Sequence, residues 1–336
     1  MAELGIGLVG CGRWGQFLAK TVQELDGARI VAVQNRTFSR AESVASELGV
    51  VAYDTYQELL ADRDIQAVLV VNPHSLHEEV VVAAAAAGKH VFCEKPLSID
   101  LASCYRMIEA TDRHGVKLMC GQVTRLYPVY KRAAEVARSG RLGQLAAVHI
   151  NNMVHIDRVR WWARSETMGA LLHSPGVHFI DFLLHVCGKA TSVYAVESRV
   201  RVQQGIDYQD SLFLLVEFES GVIGSVTCTV SCLTPGRRGQ IVGTLGSLTY
   251  DPSEYWIEVA NWKGERERID VSPTGDRRAH VDIGVRAELE SFVDWVTQDA
   301  EPILTGWDGL WAVEIIDAAY RSIREKRPVS LPLPPP

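Results

Sequence analysis

The sequence predicts an α/β protein: a doubly wound parallel sheet of the Rossmann type, followed by an α+β domain with a large, mainly antiparallel sheet. Three observations predict it. A glycine-rich turn, Gly10-Cys11-Gly12-Arg13-Trp14-Gly15, follows an apolar run near the N-terminus. Short apolar strands then alternate with helical spacing as far as Cys120, the signature of repeated βαβ units. Beyond Gly121 long strand-like runs succeed one another, which reads as an antiparallel sheet. The 336 residues are enough for two domains with separate cores. The change of pattern sets the expected divisions at 1–122, 123–330 and a loose proline-rich tail, 331–336.

Composition narrows the function classes. Apolar residues make up 47% and charged residues 22%, with a net charge of -7, so neither nucleic acid nor an anionic membrane is an expected partner. The run from Val80 to Gly88 is mostly alanine and far short of a membrane span, and Met1-Ala2-Glu3-Leu4 is unlike a signal peptide. A cytoplasmic protein is expected. The seven cysteines, scattered from Cys11 to Cys232, read as reduced thiols. Cys228 and Cys232 read as two positions on one strand face, and no second Cys/His pair has zinc spacing, so no metal site is expected.

In the first half, Leu4 to Val9 reads as a strand and Gln16 to Leu25 as a helix, with the glycine turn between them. Such a turn has a physical logic: the first glycine makes the bend, the second admits a pyrophosphate to the backbone, and the third lets helix and strand pack closely. The phosphates would sit on a helix N-terminus. Cys11, Arg13 and Trp14 belong to the same cofactor loop. A second strand, Ala28 to Val33, runs into Gln34-Asn35-Arg36-Thr37, and no Asp or Glu occurs between Ala28 and Ala41. An acid at that strand end would hold the ribose 2'-hydroxyl of NAD, whereas arginine holds a 2'-phosphate. Asn35, Arg36, Thr37 and Arg40 therefore suit NADP better, with NAD possible. Alternation continues through helices at 39–48, 55–61, 76–87 and 99–114 and strands at 50–52, 67–71, 90–93 and 117–120. Ligands in such sheets gather at the carboxyl ends of strands, which places Asn72-Pro73-His74 and Glu94-Lys95-Pro96 along the cofactor crevice and Lys95 in position for a substrate.

The strings Val71-Asn72-Pro73-His74-Ser75-Leu76-His77, Ala87-Gly88-Lys89-His90-Val91 and Glu94-Lys95-Pro96 resemble the Gfo/Idh/MocA oxidoreductase family, which includes inositol, glucose and other sugar dehydrogenases. The resemblance implies that Lys95 orients the reacting oxygen and eases its deprotonation, that Glu94 positions Lys95, and that Pro96 follows a cis bond. It also implies that Asn72, Pro73 and His77 line the nicotinamide end.

In the second half, a helix is expected over 129–139, strands over 145–155, 191–200, 211–219, 222–232, 240–250 and 254–261, and a last helix over 309–325. Leu212-Phe213-Leu214-Leu215-Val216 is apolar on both faces of a strand. One face needs a cover besides helices, and a homodimer or homotetramer through this sheet supplies it. Gly176-Val177-His178 with Asp181 resembles the site helix of the same family. That resemblance makes His178 the general base, with Asp181 one turn on as an orienting, substrate-side group. The family's Asp or Asn position falls on Ser174, which cannot accept a proton at neutral pH, and His173 is a candidate to share that role. Arg125 and Tyr127 in the connector, and Arg158, Arg160, Trp161 and Trp162 ahead of the site helix, lie where the family supplies substrate contacts. These readings add up to an NAD(P)-dependent dehydrogenase or reductase, NADP favoured, acting on a secondary alcohol or ketone of a cyclic polyol, sugar or dihydrodiol-type ring. The alternative is a sensor or regulator that binds NADP but has lost the chemistry, motivated by Ser174.

Overall fold

The computed structural model describes residues 3–156, 163–199, 206–271 and 277–334. The chain forms two compact units, 1–122 with 285–310 and 123–284 with 311–336. The first boundary is at 122, but the expected continuous second domain is interrupted by 285–310.

The first unit alternates as its sequence spacing requires: β1 (Leu4–Val9), α1 (Arg13–Gln23), β2 (Ala28–Gln34), α2 (Phe38–Leu48), β3 (Val51–Tyr53), α3 (Tyr56–Ala61), β4 (Ala67–Val70), α4 (His77–Ala86), β5 (His90–Glu94), α5 (Leu101–His114) and β6 (Leu118–Gly121). The strands are parallel and ordered β3-β2-β1-β4-β5-β6, the doubly wound order whose switch point lies between β1 and β4. Every residue of β1 and β4 is buried, as expected for strands covered by helices on both faces.

The second unit contains α6 (Pro128–Arg138), β7 (Leu145–His155), α7 (Ser165–Met168), α8 (Val177–Cys187), β8 (Ala190–Ser198), β9 (Ser211–Phe218), β10 (Ile223–Thr229), β11 (Ser231–Gly243), β12 (Gly246–Asp251), β13 (Trp256–Asn261) and β14 (Arg266–Asp270). Helices α9 (Arg277–Gln298) and α10 (Gly306–Glu325) carry the chain across the unit boundaries, and β15 (Val329–Ser330) closes it. The sheet order is β14-β13-β12-β11-β7-β10-β9-β8-β15. All of its pairs are antiparallel except β7 with β10.

Three expectations change. The run 222–232 breaks at Val230, so Cys228 sits on β10 and Cys232 on β11 rather than on one strand face. Helix α9 is absent from the expected elements, although Val285, Leu289, Phe292 and Val293 are buried at helical spacing. In the first unit Phe292 packs edge-on against Phe92, ring centroids 5.8 Å apart. The tail is docked through residue 333: β15 pairs with β8, the Leu331 amide donates to Thr191 O at 2.8 Å, and the Leu333 amide donates to Glu314 Oε1 at 2.9 Å.

Strand β9 shows how this sheet divides its faces. Leu212, Leu214, Val216 and Phe218 point into the core. Their alternates on the other face stay open, with Phe213 55%, Leu215 56% and Ile223 on β10 58% exposed. Beneath the buried face, Tyr130, Phe182 and Tyr250 form an edge-to-face trio with centroids 5.1 to 5.8 Å apart, packing that adds to plain area burial.

Candidate active site

The glycine turn divides its three tasks as the chemistry demands. Gly10 has φ +110°, and a Cβ there would lie 2.5 Å from Val71 O at the end of β4. A Cβ on Gly15 would lie 2.1 Å from Gly10 O, so that contact between helix and strand requires glycine. At Gly12 a Cβ would meet nothing within 4 Å. Gly12 is also the N-cap of α1, where no side chain caps the helix and the first turn carries no acid. Open space beside uncapped N–H groups suits a pyrophosphate.

Around this cradle, the Cys11 amide donates to Asn35 Oδ1 at 3.2 Å, which ties the loop to the end of β2. Burial pushes the Cys11 thiol up to about 11, and the nearby charge of Arg40 pulls it back. Arg36, Thr37 and Arg40 are exposed beside that strand end. Two polar groups at the carboxyl edge lack a partner within the protein, Asn72 Oδ1 after β4 and the buried side-chain amide of Gln122 after β6. Buried polar atoms of this kind are normally bonded, so their orphaning fits a crevice that receives a polar cofactor.

Lys95 is half-buried at the end of β5 and precedes a cis bond to Pro96. Buried Glu94 binds it into the cofactor loop. Trp14 Nε1 donates to Glu94 Oε1 at 2.5 Å, and the Lys95 amide donates to Glu94 Oε2 at 3.1 Å. Burial raises the Glu94 carboxyl above its ordinary range, opposed by the Lys95 charge and both hydrogen bonds. His77 is fully buried, with Nδ1 3.0 Å from Pro96 O and 3.2 Å from Leu97 O, and Nε2 3.1 Å from Asn72 O. It was expected beside the nicotinamide. Its ring instead joins the loops after β4 and β5, and burial lowers its pKa despite the three carbonyls.

In the second unit, His178 stands in the first turn of α8 and lines a cavity of about 250 Å³ together with Thr124, Tyr127, Asn152, Arg237 and Tyr255. Its Nδ1 lies 2.9 Å from Thr124 Oγ1. Asp181, expected to serve His178 or the substrate, is instead paired with Arg125. Arg125 Nε donates to Asp181 Oδ2 at 2.8 Å, and Arg125 Nη2 donates to Asp181 Oδ1. Both side chains are buried, so neither is placed for the substrate contact expected of it. Ser174 is buried, and it is Pro175 that reaches the cavity wall. The His173 ring stacks on Tyr320, centroids 5.9 Å apart, and its Nδ1 accepts from the Ala170 amide at 3.1 Å, which places it away from any role shared with Ser174. Arg158, Arg160, Trp161 and Trp162 lie outside the described residues.

Thr124, Arg237 and Tyr255 were not singled out in the sequence. Tyr255 carried no local signal, yet it adopts φ +57° and stacks on buried His280 with centroids 4.1 Å apart. Left-handed backbone at a bulky residue is costly and tends to occur at functional sites.

Comparison with known proteins agrees with this division. Residues 4–122 match the family profile described as an oxidoreductase family, NAD-binding Rossmann fold, and residues 135–331 match its C-terminal alpha/beta domain. Inositol 2-dehydrogenase 2 of Saccharopolyspora erythraea is 30% identical over 95% of this chain and 93% of its own. Myo-inositol 2-dehydrogenase of Thermotoga maritima is 28% identical over 97% of this chain and 98% of its own. A crystal structure of a putative myo-inositol dehydrogenase from Sinorhizobium meliloti superposes with a TM-score of 0.83 at 27% identity, covering 98% of this chain and 99% of that one. Among the described residues no single helix is long and apolar enough to cross a membrane.

Proposed function

The chain belongs to the Gfo/Idh/MocA oxidoreductase family, and from that premise we propose that it is an NAD(P)-dependent dehydrogenase acting on a secondary alcohol of a sugar or cyclic polyol. The observation that carries the reading is the placing of Lys95 at the sheet edge that forms the glycine cradle, its amide on Glu94, which Trp14 ties to the cradle, and the following Pro96 carbonyl on His77. The similarity to two inositol dehydrogenases supports the substrate class.

Gly12 and the α1 N-terminus would hold the pyrophosphate, Asn35 and Arg36 the adenosine ribose, and Asn72 and Gln122 the nicotinamide end. When bound, the nicotinamide supplies the hydride acceptor. Lys95 Nζ donates to the substrate hydroxyl oxygen and stabilises the charge that grows there as its proton leaves. In the tautomer that donates Nδ1–H to Thr124 Oγ1, 2.9 Å away, His178 would carry its lone pair at Nε2 and take the hydroxyl proton there. With the nicotinamide bound as hydride acceptor, loss of the hydroxyl proton to His178 would leave the ketone. In the reverse direction the imidazolium returns the proton. Glu94 and His77 act through Lys95 and through the loops they join.

We assign NADP as the preferred cofactor because Arg36 and Arg40 flank a strand end without an acid. We assign the open sheet face to a second copy of the chain, since Phe213, Leu215 and Ile223 make an apolar surface that water would otherwise cover. The test of the activity is cofactor-linked absorbance change with myo-inositol, glucose and related polyols. Turnover with a loss of roughly 100-fold or more in Lys95→Met is expected. Cofactor binding without turnover of any polyol would favour the sensor reading, and an unchanged rate in Lys95→Met would remove the mechanism.

A further inference from the structure

Trp14 has its backbone in one site and its side chain in another. It is the second residue of α1, in the turn whose N–H groups form the pyrophosphate cradle. The Gln16 side chain braces that turn by donating to Cys11 O at 3.0 Å. The half-buried indole rests beside Phe17, ring centroids 5.2 Å apart, and its Nε1 donates to Glu94, 80 residues later in the chain. An indole can only donate and a carboxylate can only accept, so the bond has one direction and is strengthened by charge.

Glu94 has little freedom to turn elsewhere. It is 6% exposed, and a Cβ on Gly121, its partner in the register of β5 on β6, would lie 3.1 Å from Glu94 Oε1. One carboxylate oxygen accepts from Trp14 and the other from the Lys95 amide. A buried carboxylate stays ionised and oriented only while such donors meet it. Burial pushes this carboxyl up, and the Lys95 charge, the indole and the Lys95 amide pull it back. Cys93, its neighbour on β5, is held neutral by burial first and the Glu94 charge second. From α1 and β6 the facing groups are Trp14 and Gly121, neither of which brings a charge.

We infer that Trp14 is a positioning residue for Lys95: its indole N–H joins the cofactor cradle to the Glu94 carboxylate, so that a pyrophosphate seated on the first turn of α1 also fixes the loop that carries the lysine. The inference rests on the reading of Lys95 as the group that meets the substrate hydroxyl, and it adds the route by which an occupied cradle reaches that group.

The test is a double-variant cycle of Trp14→Phe and Glu94→Gln, read first by NADPH binding in fluorescence titration. Phenylalanine keeps a ring beside Phe17 and removes only the donor. Each single change is expected to weaken binding by roughly 3- to 10-fold, and the double variant should be no weaker than the worse single one, because both break one link. Losses that multiply overturn the inference. In turnover, Trp14→Phe should lower kcat more than it raises KM for the polyol. Its loss relative to wild type should shrink from roughly tenfold near pH 6 to under roughly twofold near pH 9, as Glu94 regains its charge without the indole. Glu94→Gln should lose activity at every pH. A Trp14→Phe loss that is equal at every pH marks packing alone and overturns the inference. The indole N–H resonance that Trp14→Phe removes should also move when NADP binds the wild type, and a resonance unmoved by NADP sinks the link. Where no compound is turned over, the dehydrogenase reading fails by itself, and the binding cycle and the resonance decide the inference.

Discussion

Replacing Asp181 with Ala removes the buried carboxylate that two donors of Arg125 meet in the core of the second unit. The Arg125 and Asp181 side chains are 7% and 1% exposed and share two hydrogen bonds. Removing one partner of such a pair costs about 3–5 kcal/mol, because the remaining charge stays desolvated, whereas replacing both with apolar groups costs far less. The unit that contains the pair has about 190 residues. At ~2.1 cal/mol/K per residue its unfolding entropy is ~0.4 kcal/mol/K, so a loss of ~4 kcal/mol lowers its melting midpoint by about 10 °C. Scanning calorimetry should show that drop in Asp181→Ala, and the double variant Arg125→Met with Asp181→Leu should recover more than half of it. If Asp181 instead served the substrate, Asp181→Ala would raise KM and leave the midpoint within ~2 °C of wild type. That result, or a double variant no more stable than the single one, would refute the buried-pair account.

The cofactor cradle predicts opposite outcomes for two similar changes. Gly12→Ala should fold like the wild type while NADP affinity, measured by fluorescence titration, falls at least roughly tenfold, because its Cβ meets nothing in the protein but occupies the phosphate's space. Gly15→Ala should lower thermal stability, since its Cβ would lie 2.1 Å from Gly10 O. Arg36→Asp should weaken NADP far more than NAD, and equal loss of both would remove the 2'-phosphate role. His77 gives a pH signature. Burial holds its pKa below 6.5 in the fold, so the unfolded chain takes up a proton first as pH falls. The stability due to the neutral ring is whole above about pH 6.5 and is lost as pH falls toward the lowered folded value. The urea midpoint should therefore decline more steeply between about pH 7 and 5.5 in wild type than in His77→Gln, and parallel slopes would refute it. Phe213→Glu with Leu215→Glu should shift sedimentation toward the monomer, and an unchanged coefficient would rule out the open sheet face as the contact.

The chain's own order of residues determined whatever depends on near neighbours. The alternation of short strands and helices through Cys120, the glycine turn with its bend at Gly10 and tight contact at Gly15, and the lysine after β5 all follow from local spacing, and each stands in the structure. Helix α9 was harder to see because only its later half, Val285 to Val293, presents a regular buried stripe. The tail read as loose because its anchors are backbone amides meeting Thr191 and Glu314, contacts that composition does not encode.

Tertiary structure decided which side chains serve which neighbours. One turn of helix separates His178 from Asp181, and that spacing suggested a pair. Yet the segment after β6 inserts Thr124 against His178 and Arg125 against Asp181, exchanging the partners that the helix alone implied. Arg237 shows the same principle across a sheet. Its meaning depends on the register that sets it opposite Asn152, 85 residues earlier, since a one-residue slip would turn it to the other face. Periodicity reports the face a residue occupies. The side chain met across that face is fixed only when distant segments pack.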